Sequence, residues 1–153
     1  MTALRSRRAV AALGAVSAGL LLLSACNKPT PLATVTVGTD SVNSQTDCYN
    51  DGKEVAAADL ANCLKSKDIK TISVDPDATV RFGVDPAIAD NGWTILMNGQ
   101  PLTDSSKKTY RTIPGSVFFN AQYGASGSST LVSIKEGENK VTGLWSFKLK
   151  KES

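Results

Sequence analysis

From Leu32 onward the chain is cut into short runs in which alternate residues are apolar, and the cuts are turn-forming pairs. Asp75-Pro76, Asn98-Gly99, Pro114-Gly115 and Glu136-Gly137 all fall between such runs. Alternation at period two puts every second side chain on one face of a strand. Proline and glycine supply the turn geometry that strands cannot carry. A chain patterned this way builds sheets.

The runs are Leu32–Val37, Ile69–Val74, Thr79–Val84, Trp93–Met97, Tyr110–Ile113, Val117–Tyr123, Thr130–Lys135 and Val141–Lys150. Val80, Phe82 and Val84 share a face, as do Trp93, Ile95 and Met97, and as do Val117, Phe119, Ala121 and Tyr123. In the last run Trp145, Phe147 and Leu149 face inward, and Ser146, Lys148 and Lys150 face out. Asn98-Gly99 predicts a hairpin turn, and Pro101 limits pairing on the return. Ser41–Thr46 is polar, and the polar stretch Thr103–Lys108 reads as exposed chain. Asp85–Gly92 reads as a connection with one helical turn. Within Glu54–Lys65, Leu60, Cys63 and Leu64 recur near helical spacing, so a short helix is expected over Asp59–Lys65. The fold class is therefore all-β: an immunoglobulin-like β-sandwich of about eight short strands with one short helix and Greek-key connections.

Ahead of the sandwich lies a different kind of segment. Arg5, Arg7 and Arg8 precede an apolar stretch from Ala9 to Leu23, broken by Gly14, Ser17 and Gly19. It is shorter than the roughly 20 residues of a membrane-spanning helix. A basic start, a short apolar run and small residues after it make a secretory signal, expected as a helix over residues 1–25. Its end, Leu-Ser-Ala-Cys at Leu23–Cys26, resembles the lipobox of bacterial lipoproteins. That resemblance implies a diacylglycerol on the Cys26 sulfur (palmitate among the chains) and cleavage before Cys26, and it leaves open whether the new amino terminus is acylated as well. Two or more acyl chains anchor stably where one does not, at about 0.8 kcal/mol per buried methylene. Ser6-Arg7-Arg8 also resembles a twin-arginine export signal, a pattern it shares with any plain basic leader. Residues 26–31 form the lipidated cysteine and a tether, Asn-Lys-Pro-Thr-Pro, kept extended by its prolines. Residues 32–153 form one domain, with no internal repeat. The location implied is the cell membrane, extracytoplasmic face, held by lipid.

Charge and cysteines narrow the partners. Without residues 1–25 the 153-residue chain leaves 128, with 14 basic and 14 acidic side chains, because all three leader charges are arginines. A neutral domain lacks the basic stripe that nucleic acid requires, so no nucleic-acid partner is expected. With Cys26 taken by lipid, Cys48 and Cys63 remain, 15 positions apart. In an exported chain they read as a disulfide, worth about 3 kcal/mol through loop closure.

The chemistry-bearing residues are few. There is no histidine, so neither a Ser-His-Asp arrangement nor a blue-copper site can be assembled. Asp75, Asp77, Asp85 and Asp90 invite a calcium reading, but their spacing matches no calcium loop and suits turns. Trp93, Phe119, Trp145 and Phe147 read as core, whereas the pattern leaves the exposure of Tyr110 and Phe118 open. Lys148, Lys150 and Lys151 form a basic end that protects an exposed strand from mispairing, with lipid headgroups as the other use.

Gly92–Gly99 (Gly-Trp-Thr-Ile-Leu-Met-Asn-Gly) and Tyr110–Ser116 (Tyr-Arg-Thr-Ile-Pro-Gly-Ser), with the lipobox and Cys48-Tyr49, resemble an actinobacterial lipoprotein family of unknown function. The resemblance implies fold and location and carries over no catalytic residue. The expectation is a non-catalytic binding or interaction module with no cofactor beyond the covalent lipid on Cys26. Its partner would be an envelope protein or cell-wall component. The competing expectation is a small enzyme or ligand carrier that works with carboxylates.

Overall fold

The computed structural model describes residues 28–65 and 68–153. The proposed leader 1–25 and Cys26 lie outside the described residues. The described chain is an all-β sandwich. Its strands are β1 (Ala33–Val37), β2 (Asp40–Ser44), β3 (Cys48–Tyr49), β4 (Lys70–Val74), β5 (Thr79–Val84), β6 (Trp93–Met97), β7 (Gln100–Pro101), β8 (Tyr110–Pro114), β9 (Ser129–Glu136) and β10 (Gly143–Lys151). Two short helices, α1 (Ala57–Cys63) and α2 (Pro86–Asp90), sit in the connections.

One sheet has the order β2-β1-β5-β8, antiparallel throughout. The other runs β3-β10-β9-β6-β7, with β4 also on β10. The outer edge of β10 is thus shared end to end. β3 pairs antiparallel with Gly143 and Leu144, and β4 pairs parallel with Phe147–Lys151. The chain changes sheet after β2, β4, β5, β7 and β8, so neighbours in sequence are seldom neighbours in a sheet. Between the sheets lie the residues that alternation singled out. Val35, Phe82, Trp93, Ile95, Val132, Ile134, Trp145, Phe147 and Leu149 are fully buried in one core.

Two stretches differ from the sequence expectation. The polar stretch Ser41–Thr46, given no strand by the sequence, holds one: Asp40–Ser44 folds back on β1 as an edge strand, paired from Ala33↔Ser44 to Val37↔Asp40. Its side chains are polar because most of them face solvent. The second is Val117–Tyr123, which forms two 3-10 turns, Gly115–Phe119 and Ala121–Tyr123, in place of a strand. Gly115 lies so close to the chain that a Cβ there would come within 2.7 Å of the Asp75 carbonyl. Asn120 Oδ1 then accepts from Gln122 N at 2.9 Å, and Gly124 closes the second turn at φ 86°. Three residues per turn bring Phe118, not Phe119, into the core. Phe118 is fully buried against Phe82, with ring centroids 5.8 Å apart.

The helix between β3 and β4 lies at Ala57–Cys63, two residues earlier than expected, and none of its residues is fully buried. The expected turn of helix after Asp85 is α2, with Pro86 in its first turn. Asn98 and Gly99 both take positive φ, 50° and 82°, as the hairpin turn they predict requires.

Candidate functional site

The pole of the sandwich where the tether enters gathers the most unusual side chains. Trp145 belongs to β10, yet its indole Nε1 donates to the Pro31 carbonyl at 2.9 Å, across 114 residues. Leu32 is tied as well: its N–H donates to Asp85 Oδ2 at 2.8 Å, and its carbonyl accepts from Asp85 N at 3.1 Å. The domain therefore begins with a clamped chain rather than a frayed one. Of the four acids that invited a calcium reading, Asp85 performs this clamp. Asp75 Oδ1 accepts from Asp77 N at 2.9 Å, which is turn chemistry. Among the described residues no group of three or more His, Cys, Asp or Glu side chains could hold a metal ion.

Glu136 ends the inward face of β9 at the same pole and is fully buried. Asn91, just after α2, donates from Nδ2 to its Oε1 at 2.7 Å. Oε2 and the nearby Thr142 Oγ1 are buried without a well-formed hydrogen bond. Gly143 makes room for the group: a Cβ there would stand 2.7 Å from Glu136 Oε2 and 2.5 Å from the Trp145 ring. Burial pushes the Glu136 carboxyl above the usual carboxylate range, and Asn91 and Thr142 pull it back only in part. Tyr49 packs against Trp145 with ring centroids 6.0 Å apart. Its phenol is raised by burial and then by the charges of Glu136 and Asp51. No sequence pattern marks Glu136 as special. The one available signal is that it continues the inward series Val132, Ile134 on β9.

A half-buried carboxyl, that of Asp47, sits on the outer edge of β10. Asp47 N donates to the Leu144 carbonyl at 2.9 Å. Burial pushes its carboxyl above the usual carboxylate range, and the Ser146 hydroxyl and backbone beside it pull it back only in part; Oδ2 is buried without a well-formed hydrogen bond. The position explains the residue. Pairing with β3 stops at Leu144 and pairing with β4 starts at Phe147, and Asp47 fills the gap between. Ser146 Oγ lies 2.9 Å from Ser133 Oγ, so the polar line continues across to β9.

Cys48 and Cys63 are joined, with Cα atoms 5.8 Å apart, which binds β3 to the end of α1. Lys140 and Glu54 form an exposed ion pair nearby, 3.1 Å apart, worth less than about 1 kcal/mol. Arg111 fastens β8 to the chain after β7. Its Nη1 donates to Thr103 Oγ1 at 3.0 Å and to the Asp104 carbonyl, and the guanidinium lies 5.8 Å from the Trp93 ring centroid.

Of the aromatic residues, Trp93, Trp145 and Phe147 are fully buried, Phe119 is only half-buried, and Tyr110 is half exposed. Tyr123, placed by its alternation with the apolar series, is 55% exposed. The concave features of the described surface are open depressions. One of about 470 Å³ lies between β2 and β4, lined by Ser44, Asp47, Asp68 and Lys70 among others. Another, of about 450 Å³, lies at the tether pole beside Asn91 and Thr142. No residue of the buried core lines either of them. Lys150 and Lys151 sit at the far end of β10 from Gly143, about 27 Å away at strand rise.

No helix among the described residues is long and apolar enough to cross a membrane. No known protein family, curated protein or solved structure matches the chain.

Proposed function

We propose that the protein is a lipid-anchored lipoprotein on the extracytoplasmic face of the cell membrane, serving as a non-catalytic interaction module for an envelope protein or cell-wall component. The anchor is a diacylglycerol on Cys26, left by cleavage after residue 25. The observation that carries the non-catalytic reading is the filled space between the sheets. The depressions of the described surface, the one of about 490 Å³ beside Tyr49, Glu54 and Asp59 included, are open to solvent and are not lined by the core packed between the sheets, so among the described residues a small substrate has no enclosed place to bind. The two carboxyls raised by burial do not form a catalytic pair in this reading. Asp47 completes the edge of β10 and Glu136 plugs the tether pole. A carboxylate enzyme would instead present such groups together in a cleft.

The anchor is tested by Cys26→Ser in the full chain. The parent is expected to sediment with membranes and the variant to be released or mislocalised. A variant that fractionates like the parent overturns the anchor. The module reading is tested by cross-linking and affinity capture of the lipidated protein from envelope extracts. A reproducible envelope partner supports it, and clean recovery of the folded protein alone in repeated captures counts against it.

A further inference from the structure

The lipid anchor proposed above says that the domain is held at a bilayer but not how it faces it. We propose that the tether pole lies on the membrane, with Lys107, Lys108 and Tyr110 as its contact with anionic lipid headgroups; this rests on the anchor reading. The entry point is fixed, because Pro31 and Leu32 are tied to Trp145 and Asp85. Five residues, Asn27–Pro31, separate that point from Cys26, and five extended residues span at most about 17 Å.

The start of β8 falls within this reach. Ala33 pairs with Val84 and Tyr110 with the adjacent Gly83, so β1 and β8 have these ends at the same pole. They are two strand spacings apart, about 10 Å. Tyr110 is 50% exposed, and an amphipathic tyrosine suits the headgroup layer. Lys107 and Lys108 are exposed, and among the described residues neither is paired with a carboxylate. Their loop is held from behind. Trp93 Nε1 donates to the Lys108 carbonyl at 2.6 Å, and Trp93 and Ser106 exchange backbone bonds at 2.9 Å.

Acids at the pole limit the contact to this side. Asp85 is occupied by Leu32 N, and Glu54 is paired with Lys140. Asp90 and Glu138 line the depression beside Asn91 and Thr142, with Lys107 on its rim. Asp104 is the carboxylate nearest in sequence to the two lysines, and Arg111 binds its carbonyl. Lys150 and Lys151 stand at the opposite pole and do not take part. Contact at the β8 side would turn Tyr123 and the 120–128 loop away from the bilayer.

The test uses the full lipidated protein, with its disulfide intact, in vesicles of phosphatidylglycerol containing brominated lipid. A fluorophore is placed at Lys107→Cys or, at the far pole, at Ser126→Cys. Quenching several-fold stronger at 107 than at 126, and weakened by Lys108→Glu or in phosphatidylcholine vesicles, supports the proposal. Equal quenching at the two sites in vesicle-bound protein overturns the orientation and leaves the anchor standing. Quenching at 107 that is the same in both lipids overturns the anionic contact. A protein that the vesicles fail to retain overturns both the anchor and the orientation.

Discussion

A glutamate that continues the valine and isoleucine face of a strand is an expensive choice, and at Glu136 its cost is visible as charge. The folded state holds this carboxyl above its ordinary range through burial, so the native protein binds its proton more tightly than the unfolded chain does. Stability is then greatest below the ordinary carboxylate value of about 4.3. It falls as pH rises through the window up to the raised native value, and stays lower above it. Asp47, raised by the same cause, acts in the same direction. Glu136→Gln keeps the acceptor for Asn91 and adds an amide that can reach Thr142 Oγ1. It is expected to raise stability at pH 7 by on the order of 1 kcal/mol and to flatten the acid side of a melting-temperature profile. A variant whose profile still follows the parent's would mean that Glu136 does not set it. Gly143→Ala should act in the opposite sense. Its Cβ would stand 2.5 Å from the Trp145 ring and 2.7 Å from Glu136 Oε2, costing about 1–3 kcal/mol by overpacking. Chemical denaturation would read this as a lower midpoint at unchanged slope.

Among the elements, alternation between turn signals was legible as a strand wherever no tertiary contact overrode it. Thr79–Val84 and Trp93–Met97 are strands with the same limits in sequence and structure, because each is a β-branched or aromatic run between strong turn signals. Asp40–Ser44 was not legible as a strand, since an edge strand needs little apolar surface. Val117–Tyr123 misled for a different reason. Its apolar alternation is real, but the close approach of Gly115 to the Asp75 and Ala78 carbonyls is a tertiary contact that no local pattern announces. The candidate site was legible only in part. Cys48 and Cys63 could be paired by counting, whereas Glu136 and Asp47 owe their character to neighbours brought from elsewhere in the chain. Helix α1 shows what the disulfide does. Seven residues, none fully buried, are too few for a stable helix in water, so the bond from Cys63 to Cys48 keeps them in place. Cys48→Ser is expected to cost about 3 kcal/mol, to lower the melting temperature by about 10 °C, and to leave localisation unchanged. Amide exchange should quicken first in Ala57–Cys63. An unchanged melting temperature would show that the bond contributes nothing.

For the whole molecule, the main fact is the separation of partners along the chain. Trp145 holds Pro31, β10 is paired with β3, β4 and β9, and β1 is paired with β5. Contacts between distant segments close slowly, since large loops must be ordered before they stabilise anything. Replacing Trp145 with Phe keeps an aromatic side chain in the core but strands the buried Pro31 carbonyl. A loss of about 1–3 kcal/mol is expected, with faster amide exchange at Leu32 and Ala33 in hydrogen–deuterium measurements. Exchange unchanged there would show that the indole bond does not secure the entry.

The late position of β10 sets an order of events in biogenesis. The strand that three others lean on follows all of them in the chain, so it leaves the ribosome after them and the sandwich cannot close before it does. Until then the front of the domain has no indole to grip it, and the emerging polypeptide stays open. An unclosed chain of this kind is what the location proposed above would require.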